Sequence, residues 1–268
     1  MNASLAHAAA IPMMLTELRL PTIRAHWETA AQTANREGWP AERFLSTLLE
    51  MEMAERELRR IERHRAESQL PAGKLCSNFD FAAVPSMSKA LVMAMIDGDA
   101  WLDQGANLLV FGPPGVGKTH LIASVGHALI ERGKRVYFTR TTDLVQRLQA
   151  ARRDLRLPAE IGKLDRFDLL LLDDFSYVRR DQTETTVLFE LIAERYERKS
   201  IALTANQPFS EWNQVFPEPA MTVAAIDRLV HHSTILELNV ESYRRKTAER
   251  VKADKNPKRK STTTTDDN

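Results

Sequence analysis

The sequence predicts an α/β fold: a parallel five-stranded sheet with helices on both faces, preceded by a small all-α module. Three observations predict it. Short apolar runs alternate with helix-length segments between residues 107 and 239. A glycine-rich loop joins the first strand of that series to the first helix. Residues 13–70, by contrast, hold little glycine and almost no strand signal. With 43% hydrophobic and 27% charged residues in 268, the chain has enough apolar material for a core and is not wholly disordered.

Taken in order, Arg24–Arg36 reads as a short helix stopped near Gly38, and Pro12, Pro21 and Pro40 punctuate the region. In Ala41–Ala66, Phe44, Leu45, Leu48, Leu49, Met51, Leu58 and Ile61 recur at helical spacing, and Glu52/Arg56 and Glu55/Arg59 are four-apart pairs. Pro71-Ala72-Gly73 breaks the helix and marks a domain boundary. Strands are then expected at Asn107–Phe111, Arg135–Thr139, Asp168–Asp173, Ser200–Ala205 and Thr234–Asn239. Between them come helices at His120–Arg132 (closed by Gly133), Thr142–Arg153 (capped by Thr142), Gln182–Arg198 and Met221–Val230. Asp168–Asp173 is almost entirely apolar, as a strand buried on both faces should be. The resulting domains are 1–72, a helical module for partner or DNA interaction; 73–250, the α/β domain; and 251–268, a basic, polar tail.

Composition excludes several classes. The one cysteine, Cys76, rules out an internal disulfide framework and a cysteine-clustered metal site, so a reducing cytoplasm is expected. Apolar runs such as Leu169–Leu172 are too short to span a bilayer, and the mildly apolar start (Ala6–Leu15) has no basic lead before Arg19. The net charge of +1 hides an uneven distribution, with nine Lys or Arg against two acids from Arg244 to Lys260.

The chemistry concentrates after the first strand. Gly112-Pro113-Pro114-Gly115-Val116-Gly117-Lys118-Thr119, with His120 next, matches the G-x-x-x-x-G-K-[ST] phosphate loop and sits between strand and helix as that loop requires. Glycines let backbone N–H groups wrap a polyphosphate, and the helix start adds its positive dipole end. Lys118 can reach the β- and γ-phosphates, and the Thr119 hydroxyl is placed to ligate Mg²⁺. The third strand ends in Asp173-Asp174. Carboxylates at such a strand end serve the metal shell, assigned to Asp173, and the attacking water, assigned to Asp174. Asn206, just past the fourth strand, is either a contact to the γ-phosphate or water, or a turn residue. Arg228 is either a group that stabilises phosphoryl charge or a local partner of Asp227.

Trp101–Leu121, Asp173-Asp174-Phe175, the stretch Thr204–Trp212, Asp227–His232 and Ser242-Tyr243-Arg244 together resemble the IstB-type transposition helper ATPases. These are AAA+ proteins close to the DnaC-type helicase loaders. The resemblance extends from about residue 13 to 246, including Leu18-Arg19-Leu20-Pro21 and the charged helix Glu52–Arg65. It implies an AAA+ sheet in which the strand carrying Asn206 lies between the phosphate-loop strand and the acidic strand. It also implies that Asn206 is a sensor of the γ-phosphate and that Arg228 is a finger acting on ATP held by a neighbouring subunit. The implied cofactors are ATP and Mg²⁺. The implied partners are double-stranded DNA, a transposase and further copies of the chain. Two departures stand out: the acidic strand ends Asp-Asp where the wider class has Asp-Glu, and too few residues follow Asn239 for a full helical lid. Arg244 is a weak substitute for a lid-borne second sensor.

Candidate DNA contacts are Arg147, Arg152, Arg153, Arg156 and Lys163, together with Arg179 and Arg180. The arginines of the N-terminal helix alternate with glutamates, which favours a solvated face or a protein partner. His231-His232 brings no third ligand type with it in sequence, so packing or capping is expected there. Two other readings share the nucleotide machinery: a replicative helicase loader, and a nucleotide-gated DNA scaffold with little turnover.

Overall fold

The structure, a computed structural model, describes residues 3–175, 182–214 and 218–240. The chain divides into two compact units, 1–63 and 64–268. The division lies earlier than the Pro71-Ala72-Gly73 break because residues beyond 63 bond within the second unit. Arg65 pairs with Glu131, the Ser68 carbonyl accepts from the Phe138 amide, and the Pro71 carbonyl meets His127 Nε2.

The first unit holds α1 (Ala3–Glu17), α2 (Pro21–Glu37) and most of α3 (Ala41–Glu67). α1 continues through Pro12, which sequence reading took as a break. α2 starts on Pro21 and ends where Gly38 turns left-handed at φ 64°, as expected. Glu52 of α3 is 2% exposed, and its Oε2 accepts from the Thr22 and Ile23 amides at 2.8 and 3.1 Å. A buried carboxylate thus closes the N-terminus of α2. Arg56 and Arg59 flank that carboxylate and also hold Arg19 O and Thr22 Oγ1, so these two arginines serve the unit's own packing.

In the second unit, α4 (Lys89–Asp97) and α5 (Ala100–Asp103) lead into β1 (Asn107–Phe111). There follow α6 (Lys118–Glu131), β2 (Val136–Arg140), α7 (Thr141–Arg153), α8 (Leu157–Leu164), β3 (Leu169–Asp173) and α9 (Gln182–Arg195). The unit continues with β4 (Ser200–Ala205), α10 (Pro219–Val230) and β5 (Ser233–Glu237). The five strands pair only in parallel, in the order β2-β3-β4-β1-β5. β4 therefore lies between the phosphate-loop strand and the acidic strand, as the resemblance implied. Every residue of β1, β3 and β4 is buried. Leu109, Leu170, Leu172 and Leu203 meet α7, α8, α9 and α10 on one face, while α6 packs against β1 to β4.

Among the described residues, four helices, α1, α4, α5 and α8, have no counterpart among the expected ones; the last three have fewer than ten residues each, too few for a clear period. Thr142 is not a cap. α7 begins at Thr141, Arg140 precedes it without a side-chain cap, and the Thr141 hydroxyl donates to Asp173 O at 2.8 Å. α9 ends at Arg195, earlier than expected, and the backbone turns left-handed at Glu197, φ 55°. The Arg195 side chain is 0% exposed and donates to Leu164 O, Phe167 O, Asp168 O and Ser200 O. Burial pulls its guanidinium down to about 10, which still leaves it cationic at neutral pH. This one side chain ties the end of α8 to the starts of β3 and β4. The expected tail 251–268, the segment where a lid would be sought, Arg244, Arg179 and Arg180 lie outside the described residues.

Candidate active site

The carboxyl ends of β1, β3 and β4 meet at one place, where ligands bind in such sheets. β1 and β4 are in register through Phe111 and Ala205, so Gly112 and Asn206 leave the sheet side by side. The loop from Gly112 to Gly117 has positive φ at Gly112, Gly115 and Gly117. Two of these glycines are required by space as well. A Cβ on Gly112 would lie 2.5 Å from Leu238 O, and one on Gly117, at φ 101°, would lie 3.2 Å from Phe79 Cε2. α6 begins at Lys118, so its free N–H groups open onto the loop.

Lys118 is 6% exposed, and its Nζ donates to Gly112 O (2.7 Å), Pro113 O (2.9 Å) and Asn206 Oδ1 (2.6 Å). The ammonium is therefore held over the loop, and Asn206 is brought directly to it. Asn206 occupies a bend just past β4, and its side chain meets Lys118 there. Thr119 Oγ1 donates to both carboxylate oxygens of Asp173, at 2.9 and 3.1 Å. A hydroxyl and a carboxylate this close form the hard oxygen set that suits Mg²⁺. Asp174 follows at φ 55°, in the left-handed region, where Asp is tolerated better than longer side chains. That conformation supplies a physical reason for aspartate at this position.

Val116 is buried beneath the loop, whereas Pro113 and Pro114 are exposed at its tip. The His120 ring turns away. Its Nε2 lies 3.0 Å from Leu75 O, and the ring meets Phe79 edge-on, so only its backbone remains for an anion. Arg228 makes no contact with the loop. It donates to Ala224 O at 2.9 Å, lies over Phe189 and Tyr196, and borders an open cleft of about 550 Å³ lined by Tyr196, Val223, Ala224 and Asp227.

Sequence reading missed Thr204 and Thr141, both fully buried, which bond Asp173 from β4 and from the start of α7. The available signal was a hydroxyl residue inside the apolar run Ile201–Ala205, because a buried hydroxyl needs a partner.

The basic cluster is mostly committed to acids. Arg147 and Lys163 share Glu160, which their hydrogen bonds, Lys163 foremost, hold below the usual carboxylate range. Arg152 pairs with Glu190 and Arg156 with Asp154, while Arg153 is exposed with no ion pair among the described residues. The histidine pair does gain a third ligand type, contrary to expectation. Glu197 Oε1 lies 3.3 Å from His231 Nδ1, and ligand atoms of Glu197, His231 and His232 fall within 4.8 Å of one another. All three are exposed, and the Tyr196 hydroxyl also bonds His231 Nδ1.

The family model described as IstB-like ATP binding protein matches residues 13–251. The chain belongs to this family. An insertion sequence ATP-binding protein of Sinorhizobium fredii is 64% identical to this IstB-like chain over 244 residues, covering 91% of this chain and 82% of that protein. The ATP-binding protein named for insertion sequence IS21 of Pseudomonas aeruginosa is 32% identical, covering 88% and 89%. Among solved structures, the AMPPCP-bound DnaA of Aquifex aeolicus aligns with a TM-score of 0.54 at 18% identity, over 70% of this chain and 57% of that one. DnaI aligns at 0.51 and 16%, over 64% and 95%. At these identities they show the fold alone: the second unit of this IstB-like protein shares the α/β fold of those structures. No helix among the described residues is long and apolar enough to cross a membrane.

Proposed function

We propose that this IstB-like protein is an ATP-hydrolysing helper of a transposase that assembles on duplex DNA, with the first unit available to a partner. The observation that carries the ATPase reading is the meeting of Lys118, Asn206, Thr119 and Asp173 at the ends of β1, β3 and β4. The DNA and transposase parts rest on the insertion-sequence relatives.

The reaction is in-line attack of water on the γ-phosphate, giving ADP and phosphate. Loop N–H groups and Lys118 bind the phosphates and offset their charge. Thr119 and Asp173 would hold Mg²⁺, which would supply positive charge to offset the charge developing on the transferred phosphate. Asp174 and Asn206 orient the attacking water, and Asp174 accepts its proton. Asn206 also bonds Lys118, so a phosphate entering the site exchanges contacts with both. Arg228, bound away from its own loop beside an open cleft, is assigned to a neighbour's nucleotide. Arg153 is the member of the basic cluster most available to DNA phosphate; Arg147, Arg152, Arg156 and Lys163 would contribute while remaining near their acids.

Mixing tests the shared site. Asp174→Asn and Arg228→Ala each abolish turnover alone, and together they regain part of it, because mixed interfaces restore one intact site. No recovery on mixing, with both proteins folded and assembled, would remove Arg228 from the reaction.

A further inference from the structure

We propose that Thr204 is a positioning residue that sets the two acids for the metal ion and the attacking water. This inference rests on the nucleotide reading above. Thr204 is the fourth apolar-strand position of β4 counted from Ile201, and it is 0% exposed. It makes contacts to three successive residues at the end of β3. Its hydroxyl donates to Asp173 Oδ1 at 2.6 Å and accepts from the Asp174 amide at 2.9 Å. Its carbonyl accepts from the Phe175 amide at 2.8 Å.

Each contact has a consequence. A hydroxyl has one proton, so with the Asp174 amide as its donor, the Thr204 proton is directed to the Asp173 carboxylate. Asp173 Oδ1 is thereby oriented from β4, while Thr119 meets both oxygens from the loop side. When Thr119 turns to a metal ion, Thr204 remains to hold the carboxylate. The other two bonds tie down the chain where Asp174 takes its left-handed φ of 55°. The same strand carries Asn206 two residues on, so one strand segment presents a phosphate contact and sets both acids.

The test uses the full chain and Mn²⁺ as the metal probe, titrated in the presence of a saturating non-hydrolysable ATP analogue. Thr204→Val keeps the shape and removes both hydroxyl bonds; Thr204→Ser keeps them. Nucleotide affinity in EDTA is read in parallel, since a merely structural role would lower it along with the melting temperature. Removing the partner of a metal-holding carboxylate lowers metal affinity by about 10–100-fold. Thr204→Val is expected to raise the half-saturating Mn²⁺ concentration by that factor, with EDTA affinity within about twofold, and Thr204→Ser to stay near wild type. Thr204→Cys, with a weaker donor, gives the same comparison should the valine variant not fold. Unchanged Mn²⁺ affinity in a folded valine or cysteine variant, or an equal loss in Thr204→Ser, would overturn the proposal while leaving the nucleotide reading intact. A wild-type protein that binds no nucleotide would overturn both.

Discussion

Replacing Arg195 by methionine removes a side chain that ties the end of α8 to the starts of β3 and β4. The guanidinium donates to Leu164 O and Phe167 O at 3.1 Å, to Ser200 O at 2.9 Å and to Asp168 O at 3.4 Å, and lies 3.6 Å from Asp165. Methionine fills similar space and makes none of these bonds. Each stranded buried acceptor costs about 1–3 kcal/mol, less where the turn relaxes to reach water. Removing one partner of a buried ion pair costs about 3–5 kcal/mol in all, and that is the expected loss here. For a unit of this size each kcal/mol moves the midpoint by about 2–4 °C, so the melting temperature should fall by about 6–20 °C. Arg195→Lys keeps the charge, reaches fewer carbonyls and should recover less than half of the loss. The assay is thermal and urea unfolding of the nucleotide-free protein followed by far-ultraviolet circular dichroism. A change below about 1 kcal/mol for methionine would refute the argument that these carbonyls depend on Arg195.

Other outcomes follow from the same geometry. Asp174→Asn tolerates the left-handed backbone, so it should fold and bind ATP normally while turnover, read by phosphate release, falls by about 10²-fold or more. Gly117→Ala places a Cβ against Phe79 at a φ of 101°, and nucleotide affinity by fluorescence titration should drop at least about tenfold, with the melting temperature falling by a few degrees from backbone strain of about 1–2 kcal/mol. Burial works to raise the Asp168 carboxyl, but the Arg135 amide and Lys199 outweigh it, and the group sits below the usual aspartate range. The folded state therefore binds this proton less readily than the unfolded chain. Its contribution is present above about pH 4 and is lost as pH falls through the folded value. Asp168→Asn should flatten the decline in urea midpoint between about pH 5 and 3 relative to wild type. Glu52→Ala strands two amides at the start of α2, and hydrogen exchange there should quicken while β1 to β5 stay protected.

Much of the site could be read before any coordinates because its signals are local. The phosphate loop is eight consecutive residues whose chemistry dictates their types, and Asp173 ends an apolar strand that could only be buried. The strand order was not local information; it came through the resemblance, and β4 does lie between β1 and β3. What escaped is tertiary. Thr204 and Asp173 are thirty-one residues apart, Arg195 and Leu164 likewise, and Glu197 reaches His231 across thirty-four. Arg195 falls at helical spacing on the buried stripe of Leu188, Leu191 and Ile192, and only its residue type argued for exposure. Arg147 and Lys163 read as free basic groups because Glu160 enters their cluster from α8, a helix too short to be seen in the periodicity. Thr142 was preferred as a cap on residue type, but the β2 strand runs through Arg140 and Thr141 opens the helix directly.

The central claim is that nucleotide held by the loop governs assembly on duplex DNA. Its most direct measurement is binding of labelled duplex and single-stranded DNA of equal length, at fixed salt, with ATP and with ADP, for wild type and Lys118→Ala. The account predicts tight binding to duplex with ATP, at least about tenfold weaker binding with ADP, and loss of that difference in Lys118→Ala. Duplex binding indifferent to nucleotide, or a preference for the single strand, would contradict it.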